Sequence, residues 1–171
     1  MSGIINSTGA RSGVIGTTVG TPSSAAAAGS IVQTTKIYNL NSGHVYTSSA
    51  SLVATGLYVT SPATTGSNYN IITFTGVGWG DTGSEGKYAL YVNKNGAGYA
   101  NLNTGSGTNY ALFHHKFHAD EYATMNFTCI DPSPSTAGTN VYEIYFKMTS
   151  SNFHLLHNGK FYAFIVQEIK V

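Results

Sequence analysis

The densest group of chemically capable side chains is Phe113-His114-His115-Lys116-Phe117-His118, followed closely by Asp120 and Glu121. On an extended strand, His114, Lys116 and His118 share one face, and Phe113, His115 and Phe117 share the other. Two imidazoles on one face beside a carboxylate are a candidate transition-metal pair, which makes His114 and His118 the metal candidates. Lys116 stands between them, and its positive charge opposes a divalent ion. Exposed strand histidines more often face solvent or a neighbour, so no metal and no cofactor is expected.

The other chemical groups do not converge. Six histidines, three aspartates and many serines supply the letters of a Ser-His-Asp hydrolase, but there is no G-x-S-x-G elbow. Glu85, Glu121, Glu143 and Glu168 fall in separate elements, whereas a glycosidase needs two carboxylates at a set separation. Glu143 and Glu168 are expected to point outward from strands. Gly76-Val77-Gly78-Trp79-Gly80-Asp81-Thr82-Gly83 has the glycines of a phosphate loop, but Ser84–Lys87 leads into another strand rather than a helix. Trp79 beside it is expected to be buried in the core, with a subunit contact as the alternative. Cys129 is the single cysteine, so an intrachain disulfide is excluded and a buried, inert thiol is expected. Asn6-Ser7-Thr8 and Asn126-Phe127-Thr128 match the glycosylation sequon without further support. No enzymatic activity is expected from this set.

Composition sharpens that expectation. Charged residues make up 9% of the chain and the formal net charge is +1. That leaves no electrostatic footprint for nucleic acid or an anionic membrane. No stretch approaches the roughly 20 apolar residues of a membrane helix, and the N-terminus shows no apolar signal-peptide region. Gly, Ser, Thr, Asn and Tyr replace the usual charges, a mixture that favours strands and polar turns over exposed helices.

The elements follow from this text. Residues 1–30 have no period of 2 or 3.6 and a glycine every few positions. Alone, such a segment cannot bury enough apolar surface to offset its ordering entropy. Its small apolar clusters, Ile4–Ile5, Val14–Ile15 and Val19, fit an extended arm that lies against another protein. Residues 31–171 read as one all-β domain. Strands are predicted at Ile31–Tyr38, Ser51–Thr60, Tyr69–Trp79, Lys87–Asn95, Asn109–His118, Tyr122–Ile130, Val141–Thr149 and Phe161–Val171. In Val141–Lys147, Tyr142, Ile144 and Phe146 take one face, and Glu143, Tyr145 and Lys147 the other. Turn signals separate the strands at Asn41-Ser42-Gly43, Asp81-Thr82-Gly83, Asn95-Gly96, Asp131-Pro132 and Asn158-Gly159. The two Asn-Gly pairs suit type I′ hairpins, which need positive φ at both central residues. About eight such strands and no helix predict a β-sandwich or jelly roll.

The opening SGIINSTGARSGVIGTTVGT resembles a leader at the start of many small structural proteins of marine bacteriophages. The remainder is similar to the β-domain that commonly follows it. The matching features are Thr55-Gly56-Leu57-Tyr58-Val59, the LYVNKNGAG hairpin, the IDPSPSTAG loop before VYEIYFK, and the closing Val166–Ile169. The resemblance implies a virion structural protein without enzymatic activity, fibre-like or a head decoration, on the particle exterior. It also implies a trimeric jelly roll of the C1q and tumour-necrosis-factor type. Together with the apolar run Phe161–Val166, it places Phe161, Ala163 and Ile165 at a trimer interface. The implied partners are a second and third copy and other virion proteins met by the arm through Ile4, Ile5, Arg11, Val14 and Ile15. A tail-fibre module that binds a host surface glycan or protein is the alternative.

Arg11 is the only arginine, and its planar fork suits a bidentate pair with a carboxylate or carbonyls of the partner. A truncation beginning at residue 30 is expected to fold yet fail to join the particle. Arg11→Ala should weaken attachment by about 1–3 kcal/mol where the guanidinium is desolvated. Occupancy of virions by the two variants measures both; wild-type occupancy by the truncation moves the attachment surface to the β-domain.

Overall fold

The computed structural model describes residues 27–39, 45–80, 85–96, 98–102, 113–118, 120–148, 153–155 and 162–171. These hold eleven strands and no helix. They are β1 (Ile31–Asn39), β2 (Val45–Thr47), β3 (Val53–Ser61), β4 (Tyr69–Gly80), β5 (Glu85–Lys94), β6 (Tyr99–Asn101), β7 (Phe113–Lys116), β8 (Glu121–Asp131), β9 (Asn140–Met148), β10 (Phe153–Leu155) and β11 (Tyr162–Ile169).

All ladders are antiparallel and form two sheets. In the first, β8 flanks β4 on one side. On the other side β11 and β10 pair with successive parts of β4, and β1 and β2 lie beyond them. In the second, the order is β3, β9, β5, and then β6 and β7 along successive parts of β5. Counting segments that lie end to end as one position, each sheet is four positions wide. This is the double-sheet jelly roll that the strand spacing predicts. The three-residue strands β2, β6 and β10 are the elements that sequence reading missed, being too short to show a period.

Alternation decides which side chains meet. β4 buries every even-numbered position from Asn70 to Gly80, and β9 does so from Asn140 to Met148. Phe74 is the hub, stacked on Phe127 at 5.4 Å and on Tyr162 at 6.3 Å, with Phe164 edge-on at 5.6 Å. Facing them from the second sheet are Leu57, Val59, Tyr142, Ile144, Phe146 and Met148, all buried. Trp79 is not part of this core. It lies an odd number of residues from Phe74, so the pleat turns it to the opposite face of β4.

Glu143 and Glu168 also correct their expectation: both are buried, at 7% and 2% exposure. The β3–β9 ladder is irregular between Ala54 and Tyr58, where Gly56 adopts φ 74°, a conformation costly for any residue with a Cβ. The Glu143 carboxylate accepts the freed Gly56 N–H at 2.9 Å, and the Thr55 hydroxyl donates to the Ile144 carbonyl at 2.7 Å. Glu168 accepts from Thr65 N–H at 2.8 Å and Asn68 Nδ2 at 2.7 Å, holding the loop between β3 and β4. Glu168 has the inward parity of Phe164 and Val166, whereas Glu143 has the outward parity of β9 and is covered because it binds the bulge.

At the same end of the sandwich, Asn70 Nδ2 donates to Tyr142 Oη at 2.9 Å, and Tyr142 Oη donates to Asp131 Oδ2 at 3.0 Å. Asn140 accepts from Ser135 N–H and donates to the carbonyls of Pro62 and Ser135. The expected Asn95-Gly96 turn is present, with φ of 55° and 72°, and the Asn95 side chain lies against Gly138, where a Cβ would displace it. Three further turn predictions, at Asn41-Ser42-Gly43, Asp81-Thr82-Gly83 and Asn158-Gly159, lie outside the described residues.

Burial pushes the Tyr142 phenol far up, so it remains a neutral donor throughout the working range of pH. Tyr142→Phe leaves buried Asp131 and Asn70 each short of a partner. It is expected to cost about 1–3 kcal/mol in urea unfolding, against nearly nothing for Tyr58→Phe at an exposed site.

Candidate interaction surface

The outer face of the first sheet is built by the same alternation that fills the core. Its rows are fixed by register: Thr34, Gln167, Ile71 and Ile130; then Lys36, Ile165, Thr73 and Thr128; then Tyr38, Ala163, Thr75 and Asn126. Val77 opposite Thr124 and Trp79 opposite Tyr122 continue the face. Lys36 is the one Lys, Arg, Asp or Glu side chain in these rows, and its ammonium lies 5.3 Å from the Tyr38 ring centre. Thr73 and Thr128 share a hydroxyl hydrogen bond of 3.2 Å. A shallow depression lined by Ser67, Tyr69, Ile130, Pro132 and Val171 opens at one end. At the other end Trp79 packs 4.6 Å from His154 and 6.4 Å from Tyr122, ring centre to ring centre.

The sequence-predicted interface residues partly assemble here. Ala163 and Ile165 lie on this face at the middle of the sheet, while Tyr162, Phe164 and Val166 turn into the core. Ala163 is covered by its own neighbours, and Ile165 is half-buried. Phe161 lies outside the described residues, as do the anchoring candidates Ile4, Ile5, Arg11, Val14 and Ile15. Of the arm, residues 27–30 are described: Gly29 N–H donates to the Lys170 carbonyl at 2.8 Å and Lys170 N–H to that of Ser30 at 3.0 Å. The chain therefore leaves the domain beside the end of β11. Trp79, Tyr122 and His154 are the members of the face that sequence reading did not group, since only register brings β4, β8 and β10 together.

His118 is exposed at the turn before β8, and the His114 side chain falls outside the described residues. His115 meets the carboxylate instead: its Nε2 is 3.3 Å from Glu121 Oε1, and its ring packs edge-on at 4.6 Å against buried Phe117. Glu121 Oε2 accepts the His118 N–H at 2.7 Å, closing a turn in which Asp120 has φ 56°. Among the described residues no three His, Cys, Asp or Glu side chains come together as a metal site. Cys129 is half-buried, and desolvation with help from Asp131 pushes its thiol up to about 12, too high to form a thiolate ligand readily.

No family model matches the chain, and no curated protein matches it in sequence. Among solved structures, a chain from "Structure of infectious bursal disease virus Gt strain" is similar over 83% of this chain and 39% of that one. The identity is 8% and the TM-score 0.37. A likeness of that degree carries nothing about function, and this chain spans well under half of the other.

Two outcomes are expected. The melting temperature should be unchanged by EDTA and by added zinc; a drop of several degrees that zinc restores identifies a metal site among the histidines. The His118 N–H bond, helped by His115, holds the Glu121 carboxyl below its usual range. A depressed folded value means the clasp is fully formed above the unfolded pKa and is lost as pH falls through the folded one. The His118 amide resonance should therefore titrate with a midpoint below the roughly 4.3 of a free glutamate, and Glu121→Gln should abolish that titration.

Proposed function

We propose that the protein is a non-enzymatic structural component of a bacteriophage particle, placed on the exterior by its N-terminal arm and self-associating as a trimer. The observation that carries this reading is the outer face of the first sheet, nearly free of charge and floored by Ala163 and Ile165. Such a face can be desolvated against another protein without stranding ionised groups. The low charge of the whole chain supports the same reading, since repeated contacts between copies then cost little desolvation. In this reading the work is mechanical: buried area across repeated contacts, with the arm holding the domain to head or tail.

The aromatic group Trp79, Tyr122 and His154 favours a second reading, a tail-fibre module that binds a host surface glycan or protein. Flat rings with polar edges suit the apolar face of a neutral sugar.

The experiment places a charge on the face. Ile165→Asp should give a folded domain that sediments as a smaller species than wild type, because an unpaired carboxylate is forced into the contact. A wild-type monomer at micromolar concentration, or an unchanged mass in Ile165→Asp, removes the three-fold contact from this face. Trp79→Ala that lowers particle adsorption to host cells, with assembly intact, selects the second reading.

A further inference from the structure

Register extends the aromatic group at one end of the outer face to a fourth strand. Trp79 of β4 stands opposite Tyr122 of β8 on one flank and opposite His154 of β10 on the other. His154 in turn stands opposite Tyr46 of β2. Directly paired positions share a side of the sheet, so Tyr46, His154, Trp79 and Tyr122 form one row across four strands. With neighbouring strands about 4.8 Å apart, the row runs roughly 14 Å at right angles to them. Strand propensity accounts for scattered tyrosines. It does not account for the single tryptophan, a histidine and two tyrosines in one register row.

The described rings of this row touch but are not coplanar. Trp79 is tilted 55° to His154 and 41° to Tyr122. Tyr122 is 44% exposed, and Trp79 and His154 are half-buried. Rings that turn relative to one another suit a chain of sugar rings, which twists along its length, better than a single flat heterocycle. Each pyranose presents a face of C–H groups to a π surface and a rim of hydroxyls around it. Indole, imidazole and phenol supply donors and acceptors at their edges for that rim. Charge then selects among sugars. Trp79, Tyr122, His154 and the next outward pair, Val77 and Thr124, include no Lys, Arg, Asp or Glu. Lys36 lies in the row of Thr73, three outward rows from Trp79. A sulfate or carboxylate on the ligand meets no cation among these side chains, which favours a neutral sugar.

We propose that this row binds a neutral linear oligosaccharide, laid across β2, β10, β4 and β8 with its sugar rings against Trp79, His154 and Tyr122. The proposal rests on the reading in which the protein meets a host surface glycan, and it gives that reading its ligand class. Trp79 is held between two rings before any ligand arrives, so stacking on it costs little further ordering. Ile165 shares the row of Lys36 and Thr73, so the sugar and a contact between copies use different parts of the face.

Trp79 is the single tryptophan, so the tryptophan emission of the full chain reports on this row alone. Titration with cellohexaose, chitohexaose and laminarihexaose should give a saturable change in that emission with at least one of them. Heparin, a polyanion, should give none. Tyr122→Ala should raise the Kd for that hexasaccharide about ten-fold, the loss of one stacked ring. Tyr58→Ala, at an exposed tyrosine of the second sheet, should leave it unchanged. No saturable response to any of the three sugars overturns the proposal, as does a response to heparin alone or an equal loss in the two variants. The wild-type titration decides even where Tyr122→Ala does not fold. Adsorption of particles carrying Trp79→Ala reads host attachment separately. Sugar binding by the wild-type chain with adsorption unchanged in the variant supports the site and removes host attachment as its use. Reduced adsorption without sugar binding removes the site and leaves attachment to a host protein.

Discussion

The strict two-residue alternation of β4 governs the rest of the molecule. β4 has neighbours along both flanks over most of its length, β8 on one side and β11 then β10 on the other. Its inward set places Ile72 and Phe74 against Phe127, Phe164 and Tyr162, and a slip of one residue would exchange that set for Ile71, Thr73 and Trp79. The aromatic hub around Phe74 thus fixes register, and register in turn fixes what the outer face displays. Core and candidate surface are two consequences of one constraint.

The same constraint explains how a chain with so few charges disposes of them. Glu143, Glu168 and Asp131 are not surface solubilisers; they are acceptors for backbone N–H groups and a buried phenol where ladders end or break. A carboxylate that accepts amide donors is roughly twice as strong an acceptor as a neutral group, which suits a bulge or a loop with no strand partner. Spending the acidic residues in this way leaves the outer face of the first sheet to Thr, Ile, Tyr and Trp. A surface of that kind, on a strand as regular as β8, is tolerated where it is covered by another subunit and is hazardous where it is not.

Residues 29 and 30 bond to Lys170, so the segment leading into β1 lies beside the end of β11. In the proposed role, that position would bring the tether and the contact between copies to the same sheet.

The sequence by itself determined the fold class, the seven strands of eight or more residues, the Asn95-Gly96 turn and the inner face of β9, because alternation and turn chemistry are local. It also placed Ala163 and Ile165 on a face opposite to Phe164 and Val166, a matter of parity alone. Parity likewise held the information that Trp79 opposes Phe74, although the bulk of an indole argues for the core; here the pleat prevailed over the residue's apolar preference. Tertiary structure decided the rest. The recruitment of Glu143 depends on a bulge at Gly56, 87 residues away in sequence, and that of Glu168 on Thr65 and Asn68. The meeting of the His115 ring with Glu121 depends on where the β7–β8 turn closes. The grouping of Trp79, Tyr122 and His154 depends on strand order. Local sequence fixes which way a side chain points from its strand, but which strand lies beside it follows from long-range pairing and the shared core.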